Sequence, residues 1–289
     1  MTGKKTISRR TCLYSSGLMG IGGMVGSGLV SGCSSARTKR ATAFALVGDR
    51  YHNSDYIRTA LGKTLVREAG LSIDFTDEVS LLSAETLKQY KMLIVFRDGM
   101  IWPEGYMGSY PGYEPTNGPE LISIPPLPDI KGDSVMWMKP EQGLAVKEFV
   151  ENGGSAFFFH NNSHVSLSNK DYRDVEGAVY TGHPPVRAFR VHIINTDHPI
   201  TRGVSDFLVV DEQHYVNYDK DSGYVLMRSE NADGLSYGDQ GTSCEAGWAY
   251  EYGKGRVCFM APGHMISVMW NPEYVKLQKN AVRWLLREI

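Results

Sequence analysis

Cysteine is scarce in this chain. Four occur in 289 residues, at positions 12, 33, 244 and 258, and none belongs to a C-x-x-C pair. The spacing therefore offers no cysteine-based metal or redox motif. Cys258 lies inside an apolar run and reads as core, while Cys244 lies in a glycine- and serine-rich loop. A disulfide between them in an oxidising compartment is an open alternative that spacing does not single out. Runs of one charge are missing too: the formal charge is −2, and clustered Lys and Arg are confined to the N-terminus. That excludes a phosphate-backbone partner, and nucleic acid with it. There is no G-x-S-x-G elbow and no internal repeat. What is present, 42% apolar and 21% charged residues, suits one large globular domain with ample core.

The first 33 residues stand apart. Lys4, Lys5, Arg9 and Arg10 precede an apolar stretch that ends in VSGC at Cys33, the layout of an export signal. The paired arginines after Ser8 resemble a twin-arginine signal, although Cys12 stands where that motif usually has an apolar or aromatic residue. VSGC resembles a lipoprotein cleavage box, with the Cys33 thiol taking the lipid and anchoring the protein to a membrane. The alternative is a single transmembrane anchor. Seven glycines between Gly17 and Gly32 weaken such a helix by about 1 kcal/mol each relative to alanine. Residues 34–40 then form a polar tether to a domain at 41–289.

Within that domain ATAFALVG, LSIDFT and KMLIVFRDG read as strands. Between them lie a helical repeat with Ser54 as cap and Gly70 as stop, and a short helix over 84–89. Strand–helix alternation implies parallel strands and right-handed crossovers, so this half looks flavodoxin-like. Residues 100–138, rich in Gly, Pro, Tyr and Trp, break the rhythm. A stretch of this length without periodicity is disordered or functional, and its aromatics argue against disorder. It reads either as a lid whose Trp102 and Tyr106 stack on a sugar, or as an excursion packed on the sheet edge. The pattern resumes with the helix EQGLAVKEFVENGG, the strand SAFFFH and the strand FRVHIIN. GWAYEYG and GRVCFMAPG flank a GKG turn as a hairpin, and a last helix is capped by Asn271 with Pro272 at its first position.

The chemistry-bearing residues fall at strand ends. His160 closes SAFFFH, His264 follows GRVCFMAPG, and His52, His183 and His214 lie in GDRYHN, GHPP and DEQHY. Ligands of open α/β sheets bind beyond the carboxyl ends of the strands, so these imidazoles are expected to face one crevice. Imidazole with a carboxylate is the raw material of a metal or acid/base site. Strand alternation lets only one of Asp211 and Glu212 point inward. Asp49 and Asp98, at the ends of the first and third strands, are candidate proton acceptors, the alternative for Asp98 beside Gly99 being to shape a turn. His192 reads as a satisfied sheet residue and His198, before Pro199, as a turn residue.

The stretch GHPPVRAFRVHIINTDHPITRGVSDFLVVDEQHYV, with WAYEYGKGRVCFMAPGH, NPEYVKLQKNAVRWLL, VENGGSAFFFHN and VGDRYHN, resembles the trehalose-utilisation (ThuA-like) family. The resemblance implies an α/β fold like that of class I glutamine amidotransferases, a three-layer sandwich with a mostly parallel central sheet. Those enzymes use a cysteine at a strand-to-helix elbow and a later histidine. Here His264 takes the place of the histidine, but the elbow offers His160, Asn161 and Asn162, so glutaminase chemistry lacks its thiolate.

The resemblance further implies carbohydrate metabolism, in particular of 3-keto glycosides, and a divalent metal such as Zn or Mn in some relatives. The strand-end residues supply His160, Glu212 and His264 as ligands, Asp211 being equally able to be the carboxylate, with His160, His264, Asp49 and Asp98 as catalytic candidates. His52, Asn161, His183, His214, Tyr106 and Trp102 become substrate contacts. The reading is a metal-assisted lyase or hydrolase of a sugar or glycoside, served by a sugar oxidoreductase in the same pathway. The alternative is a non-catalytic carbohydrate-binding lipoprotein on the same scaffold.

Overall fold

The computed structural model describes residues 41–105, 130–234 and 236–289. The expected export signal with Cys33, the tether and Tyr106 lie outside the described residues.

β1 (Ala43–Val47), β2 (Ile73–Thr76) and β3 (Met92–Phe96) pair in parallel, with β1 in the middle. β4 (Met100–Ile101) and β5 (Val135–Met136) form a short antiparallel ribbon at the two ends of the aromatic insertion. β6 (Ser155–Phe159) follows, then β7 (Ala178–Gly182), β8 (Arg187–Ile193) and β9 (Phe207–Asp211). β10 (Tyr215–Tyr218) pairs with β7 away from the main sheet. β11 (Val225–Asn231), β12 (Ser243–Tyr252) and β13 (Gly255–Met260) complete the strands.

Among the described residues the main sheet has nine strands in the order β2-β1-β3-β6-β13-β12-β11-β8-β9. Its first five are mutually parallel, and the four after β13 run antiparallel to their neighbours. Every residue of β1, β3 and β6 is buried, which is why they read as unbroken apolar runs: helices cover both faces. On one face α5 (Ile266–Met269) packs against both α1 (Ser54–Leu61) and α6 (Pro272–Leu285). On the other, α2 (Ala84–Leu87), α3 (Pro140–Glu151) and α4 (Lys170–Glu176) pack together. The result is the expected α/β three-layer sandwich, with an antiparallel extension beyond its parallel centre. In that extension β9 alternates, leaving Leu208 and Val210 exposed while Phe207 and Val209 face the core.

Local signals were off by a residue at one cap. Asn53, not Ser54, caps α1, its side-chain oxygen accepting from the N–H groups of Asp55 and Tyr56. An amide oxygen in the extended residue ahead of the first turn reaches two orphan donors, so Ser54 enters the helix instead. Asn271 caps α6 in the same manner, ahead of Pro272. Cys244 and Cys258 are both buried free thiols.

Candidate active site

The carboxyl ends of β1, β3, β6 and β13 open on one side of the sheet, and the chain after β9 returns to meet them. Gly48 ends β1 at φ +86°, and a Cβ there would lie 2.4 Å from that of Ser54. Only glycine lets β1 turn so tightly into α1. The turn carries Asp49 and His52. Asp49 is enclosed: its carboxylate accepts from the N–H groups of Tyr51 (2.8 Å), His52 (2.9 Å) and Asp98 (2.9 Å) and from Asn161 Nδ2 (2.7 Å). His52 Nδ1 lies 2.9 Å from it. Burial alone would raise this carboxyl, but the His52 charge and these donors hold it well below the usual range. Burial likewise works to lower the His52 imidazole, and Asp49 prevails and raises it. With Nδ1 on Asp49, the free His52 nitrogen is Nε2.

β6 ends in an elbow. His160 has φ +52°, a left-handed backbone that costs a branched-chain-free L-residue of this size of order 1–3 kcal/mol and is kept where surrounding structure enforces it. The bend turns its fully buried side chain into the crevice, and Nδ1 donates to the carbonyl of Ala261 at 2.8 Å. Gly263 permits that closeness, since a Cβ there would meet the Cβ of His160 and the ring of Phe96 at 2.8 Å. Burial, then the neighbouring His214, push the His160 imidazole well below its ordinary pKa, so it is neutral. With Nδ1 holding the proton, Nε2 carries a bare lone pair.

That lone pair faces Glu212. Oε2 of Glu212 lies 3.4 Å from His160 Nε2, 3.1 Å from His264 Nδ1, 3.4 Å from His214 Nε2 and 3.7 Å from His183 Nε2. His264 Nδ1 is also 3.0 Å from His52 Nε2. Burial would raise the Glu212 carboxyl, and the surrounding imidazoles keep it ionised. Asp211 points the other way and accepts from the N–H groups of Gly263 (2.7 Å) and Met265 (3.0 Å), clamping the turn that presents His264. Asp98 reaches the crevice from β3. Burial and the Asp49 charge push its carboxyl up to about 7.

These donors fit a divalent cation. Among the described residues His160 Nε2 is buried with no hydrogen-bond partner, and two acceptors opposed at 3.4 Å need a positive charge between them. The ligand atoms of His52, His160, Glu212 and His264 lie within 4.8 Å of one another. A tetrahedron with arms of about 2.0–2.1 Å has edges of roughly 3.3 Å, close to the spacings found. The outer nitrogens of His52 and His160 are oriented by Asp49 and the Ala261 carbonyl, as metal-binding imidazoles usually are.

A cavity of about 440 Å³ lies over the cluster, lined by His52, Asp98, Asn161, His183, Glu212, His214 and His264. It also gathers Tyr51, Met100, His164 and Tyr180, which the sequence had not singled out. His164 lies four residues after His160 in the 3₁₀ segment that follows β6. Trp102 lines a separate hollow of about 390 Å³ beside Arg50 and Arg97. Asp49 is sealed beneath His52 and reaches a substrate only through that ring. His192 and His198 lie elsewhere, held by Asp206 (2.7 Å) and the Ile200 N–H (3.1 Å). A larger groove of about 620 Å³, at the other end of β6 around Lys91 and Arg287, contains no histidine or cysteine.

A family model described as trehalose utilisation (ThuA) matches residues 131–285. Among solved structures, the chain is similar to a ThuA-like protein from Bacteroides uniformis, with 16% identity and TM-score 0.56 over 87% of this chain and 94% of that one. A ThuA-like protein from Parabacteroides merdae gives 13% identity and TM-score 0.58 over 86% and 90%. A cytoplasmic protein of Salmonella typhimurium gives 14% and 0.53 over 84% and 98%. At such identities the likeness shows the fold. No curated protein matches the chain in sequence.

Proposed function

Because the chain belongs to the ThuA family of carbohydrate utilisation, we propose that the histidine-rich crevice is the active site of an enzyme acting on a sugar or glycoside, with a divalent cation, Zn²⁺ or Mn²⁺, held by His52, His160, Glu212 and His264. The observation that carries this reading is the bare Nε2 of His160, buried against an ionised carboxylate.

The reaction we infer is β-elimination or hydrolysis of a 3-keto glycoside. A ketone at C3 acidifies the C2 hydrogen, and loss of that proton drives a C1=C2 bond to form as the C1–O bond breaks, the aglycone leaving with the bonding pair and taking a proton from solvent; addition of water across C1=C2 then completes hydrolysis. The cation supplies Lewis acidity for the carbonyl oxygen. Asp98 is the proton acceptor: it lines the cavity and its carboxyl is tuned to about 7, the range in which a base is both available and effective near neutrality. Asn161 offers a hydrogen bond to a sugar hydroxyl, and Tyr180 gives an apolar face. Asp49 orients His52, and Asp211 holds His264 in place.

The N-terminal sequence supports export and lipidation at Cys33, which would put the enzyme on a membrane surface. Its ketone substrate requires a preceding oxidation, so a sugar oxidoreductase is the partner activity.

The test pairs metal content with turnover, using protein purified without chelators or a histidine tag. Bound divalent metal that is lost in His160→Ala, together with release of aglycone from a 3-keto glucoside panel by the wild type alone, is the expected result. A wild type that takes up neither Zn²⁺ nor Mn²⁺ overturns the metal-assisted reading. Sugar binding without turnover would instead favour a carbohydrate-binding protein.

A further inference from the structure

We propose that the crevice holds a second divalent cation, bound by His183 and His214 with Glu212 as the carboxylate shared between the two ions. The inference rests on the reading of the first site given above.

Four imidazole nitrogens crowd one oxygen of Glu212. His160 and His264 belong to the first cluster, while His183 and His214 make a second group of three with Glu212. One ion cannot serve both. Donors on a single ion with arms of about 2.1 Å lie no more than about 4.2 Å apart. The ligand atoms of each group fall within 4.8 Å of one another, but the six residues do not form a single group at that spacing.

In the second group His183 is oriented by a hydrogen bond, as metal-binding imidazoles usually are, and His214 is held by packing. The rings of His183 and His214 are stacked, 10° from parallel with centroids 4.9 Å apart, so their edges address the carboxylate side by side. His183 Nδ1 donates to the Pro184 carbonyl at 2.9 Å, which fixes the proton there and leaves Nε2 to face Glu212. His214 is 3% exposed, and its backbone is pinned by the Cys244 thiol, which donates to the His214 carbonyl at 3.0 Å. A surface pair of histidines meant only for sugar hydroxyls needs neither this burial nor a common carboxylate. Carboxylate-bridged pairs of ions about 3.5–4 Å apart are an established device for gripping two oxygens of one substrate.

The two sites are unequal. The first has three imidazoles and is enclosed, whereas the second has two and shares its only charge. His183 is 31% exposed at its side chain, so the second ion keeps open positions toward the cavity, where vicinal sugar oxygens would bind. Its affinity is therefore the weaker, and filling is stepwise.

The experiment uses the metal-free full chain titrated with Mn²⁺ by calorimetry, with bound metal counted after equilibrium dialysis and spectra recorded by electron paramagnetic resonance. The wild type is expected to bind about two ions in two phases, the second giving the broadened signal of a spin-coupled pair. His183→Ala, a half-exposed position that leaves the core intact, should bind about one ion and show the six-line signal of isolated Mn²⁺. One ion in the wild type, with His183→Ala unchanged, overturns the second site while the first stands. Two ions in both proteins overturns the assignment to His183. No ion in either overturns the first site as well.

Discussion

Asp211 and Glu212 are neighbours in the chain whose carboxylates do opposite jobs. Asp211 clamps the N–H groups of Gly263 and Met265 at 2.7 and 3.0 Å, while Glu212 reaches His264 Nδ1 at 3.1 Å. One therefore places the imidazole that the other engages. Asp211→Asn keeps the volume but sets an amide N–H₂ against one of the two backbone donors. Leaving a buried donor unpaired costs about 1–3 kcal/mol, and disturbing a group that orients a ligand typically costs 10–100-fold in metal affinity. We expect both: a lower denaturant midpoint for the metal-free protein, and weaker Zn²⁺ binding in a competition titration. Unaltered Zn²⁺ affinity in a destabilised variant would reduce Asp211 to a purely structural clamp.

Asp49→Asn tests the other orienting group. The carboxylate sits beneath His52 with five donors around it, and its depressed pKa means that its ionised form stabilises the fold. For a depressed carboxyl that contribution is present above the unfolded value of 3.8 and is lost as pH falls below it, because the unfolded chain then binds the proton first. The variant should be less stable than the wild type at pH 6 by a few kcal/mol. The gap should narrow on acidification below about pH 4. Chemical denaturation at pH 3, 4, 5 and 6 reads the difference; a gap of constant size would mean that charge at Asp49 is not what stabilises the fold.

Much of this site could be read from residue order because its strands are buried on both faces. AFALV, MLIVF, SAFFF and the run ending in Met260 are unbroken apolar segments, and the residues just after them are the ones that converge. Two things could not be read. Convergence itself depends on the order β1-β3-β6-β13, a long-range pairing with no local signature. Whether Asp211 or Glu212 faces inward depends on where β9 stops. His52 was expected only as a substrate contact, yet its Nε2 lies 3.0 Å from His264, because the Asp49 bond that rotates it inward links groups on a non-periodic turn. The β7–β10 ribbon was missed for a related reason: its strands are short, half-polar and thirty-odd residues apart.

Asp98→Asn addresses the chemical step. Its Oδ1 accepts from the Met100 N–H at 2.8 Å, a bond the amide oxygen of Asn can retain, so the fold should survive. Proton abstraction cannot. Loss of a general base lowers rates by about 10²–10⁴, and we expect a fall of that size in kcat/KM on a 3-keto glycoside. In the wild type kcat/KM should rise with pH through about 7 as the carboxyl ionises, and the variant should lack that limb. A residual activity with the same pH profile would assign the base elsewhere, His164 being one alternative on the cavity wall.

Glu176 offers a test of the core behind the site that does not depend on the reaction. It is fully buried at the end of α4; one carboxyl oxygen accepts from Ser166 Oγ and the Ala178 N–H, both at 3.1 Å, and the other has no hydrogen-bond partner among the described residues. Burial pushes the carboxyl up to about 8, against an ordinary value of 4.5. Between those values the folded chain holds one proton more than the unfolded chain, so stability declines as pH rises, by up to about 1.4 kcal/mol per pH unit. The contribution is complete below 4.5, falls away through about 8 and is constant beyond. Glu176→Gln keeps the shape and removes the titration. Asp98 and Asp211, whose carboxyls are also raised to about 7, titrate in both proteins and cancel in the difference. Urea midpoints measured from pH 5 to 9 should thus diverge in favour of the glutamine variant and level off above about pH 8. Parallel curves across that range would mean that Glu176 is already ionised in the folded core and has found a partner charge.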